Sequence, residues 1–188
     1  MSLHLKQRFH VLEWKESIIH EEWIDFKTPR LKVSIKNELG TRLRAYDARG
    51  GWRMIDGKVS RFSEEHLAME RGFWKRDMFR MFHLIAAEDP SIELRMKGEL
   101  LEVHERGGGP LCWFRLSPLA EPVLWGAAVG ERKLEFIFGP LEQYGNIRVP
   151  RWGGFTDGSW RFDMLDARAS SQPPQVSYDP PESASPQQ

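Results

Sequence analysis

The chain has 188 residues, a length that suits one domain with a sizeable core. Its 27 Lys and Arg balance 27 Asp and Glu, so no net field draws it to nucleic acid or to an anionic membrane surface. A single cysteine, Cys112, excludes a disulfide framework and a cysteine-based zinc site. Against this ordinary background stand 8 Trp and 11 Phe but only 3 Tyr. Rings in that number fill a core or line an internal apolar cavity, and on composition both readings stay open.

The opening MSLHLKQRFH lacks the apolar region of a signal peptide, and no stretch reaches the ~18 apolar residues of a membrane span. The chain as it stands is therefore expected to be cytoplasmic, and the cell envelope only if a leader was removed. The folded part is expected over residues 8–169. Its first segment, FHVLEWKESIIHEEWIDF, fits two templates. Phe9, Leu12, Ile19, Trp23 and Phe26 gather on a helical projection, yet the part from Glu16 has the Ile, Trp and Phe of a strand, and we favour the strand for that second half. RLKVSIKN then alternates Leu31, Val33 and Ile35 with Lys32, Ser34 and Lys36, the pattern of a sheet with one apolar and one wet face. TRLRAYDA and GWRMIDGKVSRF continue it, with Asp56-Gly57 as a two-residue hairpin turn.

A helix interrupts the strands. Ser63 is placed to cap it, and Glu64 and Glu65 favour the positive end of its dipole. On a helical projection Leu67, Trp74, Met78, Met81, Phe82 and Ile85 form one stripe, with Arg76, Arg80 and His83 opposite. Arg71 is the charge on the stripe and is read as snorkelling to water. Gly72 is the expected point of any split, and AEDP stops the helix before Pro90. Such a stripe needs an apolar partner, and the sheet's apolar face supplies one. SIELRM, LLEVHE, LCWFRLS, EPVLWGA, KLEFIFG and SWRFDMLDA follow as strands, RGGGP at 106–110 joining two of them. The total is roughly eight to ten strands in an antiparallel meander. From Ser170 the Pro-, Ser- and Gln-rich SSQPPQVSYDPPESASPQQ has little to bury and is expected to be a disordered tail, residues 170–188, whose deletion leaves stability untouched.

A strand, a turn with a late tryptophan, a hairpin and then a helical insert resemble the lipoprotein carriers and receptors of the Lol system (LolA/LolB-like). The residues that carry the resemblance are TPRLKVSIKN (28–37), AYDARGGWRMIDGKVSRFS (45–63), the helix from Ser63, and FIFGPLEQYGNIRVP (136–150), over about residues 17–168. The resemblance implies an α+β fold: a curved, mainly antiparallel sheet forming an unclosed β-barrel, with a helical insert at about 63–87 covering the concave face. It also implies a noncatalytic site for a lipid or acylated ligand. Burial contributes ~0.8 kcal/mol per methylene, so Trp, Phe and Met suit such a site. The candidates are Trp52, Trp74, Met78, Phe82, Trp113, Phe136, Phe138 and Trp160. The alternative is a protein-interaction or structural module whose core is filled by these same side chains. Arg30 and Arg44 fall in roughly the region of the carriers' functional arginine, and the role is carried over to neither.

No catalytic arrangement is readable. HEEW at 20–23 lacks the second histidine of a zinc-protease motif, and the six histidines share no ligand spacing. There is no nucleophile elbow, and Glu21-Glu22 and Glu64-Glu65 read as solvated faces or a helix start. No metal, cofactor or nucleic-acid partner is therefore expected, and no enzymatic activity. The interleaved arginines and rings of ERGFWKRDMFR are assigned to the lid rather than to nucleic acid or a membrane surface.

Overall fold

Alternation of apolar and polar residues becomes, in the computed structural model, an antiparallel meander over the first third of the chain. Residues 1–12, 17–130 and 132–181 are described. Six strands come first: β1 (Ser2–Val11), β2 (Ile18–Asp25), β3 (Arg30–Asn37), β4 (Gly40–Asp47), β5 (Gly50–Ile55) and β6 (Lys58–Arg61). The helices α1 (Glu64–Arg76) and α2 (Met78–Ala86) follow. Then come β7 (Ile92–Lys97), β8 (Leu100–Glu105), β9 (Pro110–Leu116), β10 (Pro122–Val129) and β11 (Arg132–Phe138). The chain closes with β12 (Leu141–Tyr144), β13 (Ile147–Pro150), β14 (Trp152–Phe155) and β15 (Trp160–Ser170).

The hydrogen-bonded order is β6-β5-β4-β3-β2-β1-β15-β14-β11-β10-β9-β8-β7, a 13-stranded sheet, with β12 and β13 as a separate pair. This sheet is unclosed, and with its two helices the fold is an α+β open half-barrel. More strands form than expected, because β1 and the short pieces between 141 and 155 carry weak alternation. The ambiguous first segment is strand on both sides: Phe9 pairs with Ile18 across residues 13–16, which lie outside the described residues. β1 also begins at Ser2, ahead of the expected start at residue 8.

The chain divides into two compact units. Unit 1 comprises Met1–Leu67, Glu142–Val149 and Phe162–Gln188. Its register places Leu5, Glu22, Val33 and Arg44 in one row, and Leu3, Ile24, Leu31 and Tyr46 in the next. Because directly opposite residues point to the same face, these rows share one side of the sheet. On it Leu5, Ile24 and Val33 are almost wholly buried. His20 lies there too, stacked on Phe9 with its Nδ1 3.2 Å from the Gln7 side-chain oxygen. Burial, reinforced by the Arg44 charge, pulls the His20 pKa down to about 3, so the ring is neutral in the fold. The other side carries the row Trp23, Lys32, Ala45 and Trp52. The hairpin at Asp56-Gly57 turns as expected: both residues have positive φ, 50° and 75°, which is the geometry of a tight two-residue turn.

β15 runs through Ser170, and residues 171–181 of the Pro-, Ser- and Gln-rich tail lie against unit 1. The tail does have something to bury. Trp52 Nε1 donates to the Tyr178 carbonyl at 2.7 Å, Lys32 Nζ to the Ser177 carbonyl at 2.8 Å, and the Tyr178 hydroxyl to the Trp23 carbonyl at 3.4 Å. Residues 182–188 of the expected tail lie outside the described residues.

Unit 2 comprises Ala68–Leu141 and Pro150–Arg161. The helical insert breaks at Asp77 rather than at Gly72. Asp77 has ψ 131°, and its carboxylate accepts the Arg80 N–H at 2.8 Å, so it caps a new helix. Ser63 Oγ accepts from His66 N at 3.2 Å, the cap expected for α1. The break rotates α2 relative to a continuous projection. Phe79 and Leu84 therefore join Met81 as its buried residues, while Met78, Phe82 and Ile85 are only partly covered. On α1 the buried charge is Glu70, and Arg71 is exposed.

Candidate functional site

The ring-lined face of unit 2 is built by register. Trp125 on β10 lies opposite Phe114 on β9 and Phe136 on β11, and Phe136 lies opposite Phe155 on β14. Period-two geometry then puts Leu101 and Val103 (β8), Cys112, Ala127 and Phe138 on that same face. α2 lies on this face. Phe82 stacks on Phe114 with centroids 5.0 Å apart, and Met81, fully enclosed, packs with Leu84, Val103 and Phe114. Beyond the helix the rings continue: Trp125 to Phe136 at 5.4 Å, Phe136 to Phe155 at 4.2 Å, and Trp160 edge-on to both at 5.1 and 4.8 Å. Phe136, Phe155 and Trp160 are half-buried.

Two polar atoms sit at this face. Burial pushes the Cys112 thiol up to about 12, partly offset by the Trp125 indole N–H, so the thiol is protonated and not a nucleophile. Trp125 Nε1 is itself buried and makes no well-formed hydrogen bond to an oxygen or nitrogen. At the helix break, enclosure raises the Asp77 carboxyl to about 6, against the Arg80 and Phe79 backbone N–H groups and the Arg80 charge, which pull it down. Among the described residues no group of three or more His, Cys, Asp or Glu is placed to hold a metal ion.

The sequence candidates divide. Met78, Phe82, Phe136 and Phe138 come together on the ring-lined face, and Trp160 joins through Phe136. Trp74 is buried on α1, outside that cluster. Trp52 belongs to unit 1, where its indole holds the tail. Trp113 points to the opposite side of the sheet, over Gly126, with Nε1 donating to Glu135 Oε1 at 3.3 Å and Lys133 Nζ 5.4 Å from its ring centroid. Sequence reading missed Phe114, Trp125 and Phe155. LCWFRL alternates Leu111, Trp113 and Arg115 with Cys112, Phe114 and Leu116, so the exposed Arg115 was the signal that Trp113 lies on the wet side and Phe114 on the apolar one. Gly126 agrees with this: a Cβ there would collide with the Trp113 ring, so the glycine marks the face on which Trp113 lies.

Arg30 is committed elsewhere, forked onto the buried Asp25 carboxylate at 3.0 and 2.9 Å. Asp25 Oδ1 also accepts the Lys27 and Thr28 N–H groups, so this constellation shapes the β2–β3 turn. No described helix is long and apolar enough to cross a membrane.

No family model and no curated protein matches the sequence. Solved structures do match in fold. A putative outer membrane lipoprotein-sorting protein domain from Vibrio parahaemolyticus superposes with a TM-score of 0.51 at 12% identity, covering 93% of this chain and 87% of that one. A DUF1329 family protein from Desulfovibrio piger superposes with a TM-score of 0.54 at 11% identity, covering 94% and 87%. At these identities the likeness is one of fold, and the fold is the distant LolA/LolB-like one that the sequence motifs resemble.

Proposed function

We propose that the chain binds a long apolar ligand, an acyl chain in particular, without covalent chemistry, against the ring-lined face beside α2. The observation that carries the reading is the incompletely buried run Phe136, Phe155 and Trp160, continuous with rings that α2 already covers. A strip of rings on one side of a sheet, flanked by a helix with a flexible Met78, offers methylene burial with little orientation demand. The name of one structural neighbour, a lipoprotein-sorting domain, fits a lipid or lipid-modified ligand and a place in the cell envelope. A second reading, an interaction module with a filled core, draws on the complete burial of Met81 and Phe114 beneath α2.

A fluorescent long-chain fatty acid distinguishes them. Saturable binding that Phe136→Ala weakens by about fivefold or more, and that Trp113→Ala on the opposite face leaves unchanged, supports the apolar site. Binding that is absent, or weakened equally by both substitutions, rejects it.

A further inference from the structure

The docked tail is held as a peptide ligand is held. Trp52 and Lys32 donate to two successive main-chain carbonyls, of Tyr178 and Ser177, and such contacts accept any extended segment. Selectivity comes from the side chain between them. The Tyr178 ring lies under the Arg30 guanidinium, 4.5 Å from its centroid, and its hydroxyl reaches the Trp23 carbonyl. Arg30 is preorganised by its fork onto Asp25, so the tyrosine slot is built independently of the tail. Past the tyrosine, Arg49 lies 3.9 Å from Asp179, and Ser177 Oγ accepts the Asp179 N–H, turning the chain. The groove continues beside the tail as a 240 Å³ space between Tyr46, Arg49, Trp52 and Arg61 on the sheet side and Asp179 and Pro180 on the other.

We propose that this face of unit 1 is a peptide-docking site, occupied in cis by residues 171–181, and that it takes in trans a partner segment with a tyrosine followed by an acidic residue and proline. The cis segment competes at the high effective concentration of a tethered ligand, so a partner engages only by displacing it.

The test uses the full chain. Tyr178→Ala empties the slot while leaving every strand residue in place. A labelled synthetic peptide of residues 171–181 is then titrated into wild-type and variant protein. Saturable binding to Tyr178→Ala, at least about tenfold weaker to wild type, is expected, because an anchoring tyrosine of this kind carries most of the affinity. Equal binding to both proteins, or none to the variant, overturns the proposal. As an independent readout, Trp52→Phe in the full chain should speed amide exchange of residues 171–181 by about tenfold while the β2–β4 amides keep their protection. Unchanged exchange in the tail, or loss of protection throughout the sheet, would also overturn it.

Discussion

Truncating two neighbouring side chains on α2 tests how the helix sits on its face. Phe82 stacks on Phe114 at 5.0 Å and meets Phe79 edge-on at 6.5 Å, but part of its ring stays in water. A fully buried Phe→Ala costs ~3–5 kcal/mol. With its ring partly covered, Phe82→Ala should cost about half of that, ~2 kcal/mol, of which the ring-ring geometry accounts for ~1 kcal/mol. Met81 is smaller but 0% exposed, so Met81→Ala leaves an enclosed hole and should cost more, ~3 kcal/mol. Side-chain size alone gives the opposite order. Urea unfolding followed by tryptophan fluorescence and circular dichroism measures both. Adding a long-chain fatty acid should restore part of the Phe82→Ala loss and little of the Met81→Ala loss, because only the partly covered site is open to a ligand. A Phe82→Ala loss below ~0.5 kcal/mol, or one exceeding that of Met81→Ala, would refute this account of the α2 contact.

Three further outcomes follow from particular residues. The Asp77 carboxyl is raised to about 6 in the fold, so the folded state binds its proton more tightly and stability falls as pH rises between the unfolded and folded pKa values. Asp77→Asn keeps a capping side chain and removes that ionisation, and should gain ~1 kcal/mol at pH 8 while flattening this descent in pH-dependent urea melts; a loss at pH 8 would contradict it. His20 has the opposite sign. Its folded pKa of about 3 lies below the unfolded value, so stability is lost as pH falls below about 6.5, by up to ~1 kcal/mol per unit, and His20→Gln should flatten that acid limb if the ring is held neutral. Removing residues 171–188 should lower stability by ~1–2 kcal/mol through the lost Trp52 and Lys32 hydrogen bonds, against the neutral outcome that composition suggests; an unchanged thermal midpoint would show that the docking is energetically idle.

Legibility in the sequence tracked how one-sided each pattern was. RLKVSIKN has a single apolar set, and its burial follows that set: Leu31 and Val33 are buried, Lys36 is on the other face. Asp56-Gly57 was readable because few residue pairs take two positive φ values in succession. The helix was legible as an element, but the break at Asp77 was not, since aspartate inside an amphipathic run differs little by propensity from its neighbours until its side chain turns to cap. That one residue reset the phase and brought Phe79 and Leu84 into the core. Trp113 shares its side with Arg115, and Phe114 its side with Cys112 and Leu116, so the strand's own alternation separates them; the cross-strand Gly126, paired through register and not through sequence distance, agrees. The contacts of the tail were not legible for a related reason. Composition measures what a segment brings to be buried, and Tyr178 is one ring among prolines and serines; its slot is supplied by Trp23, Arg30, Lys32 and Trp52 from strands more than a hundred residues earlier in the chain.

The measurement that bears most directly on an apolar ligand site is native mass spectrometry of protein purified gently from its own host, with an organic extract of the same sample analysed in parallel. A reproducible bound mass of acyl-chain size is expected, lost or reduced when Phe136 is replaced by alanine. A clean unliganded mass, together with no uptake of a fluorescent fatty acid, would contradict it and leave the rings of unit 2 as core.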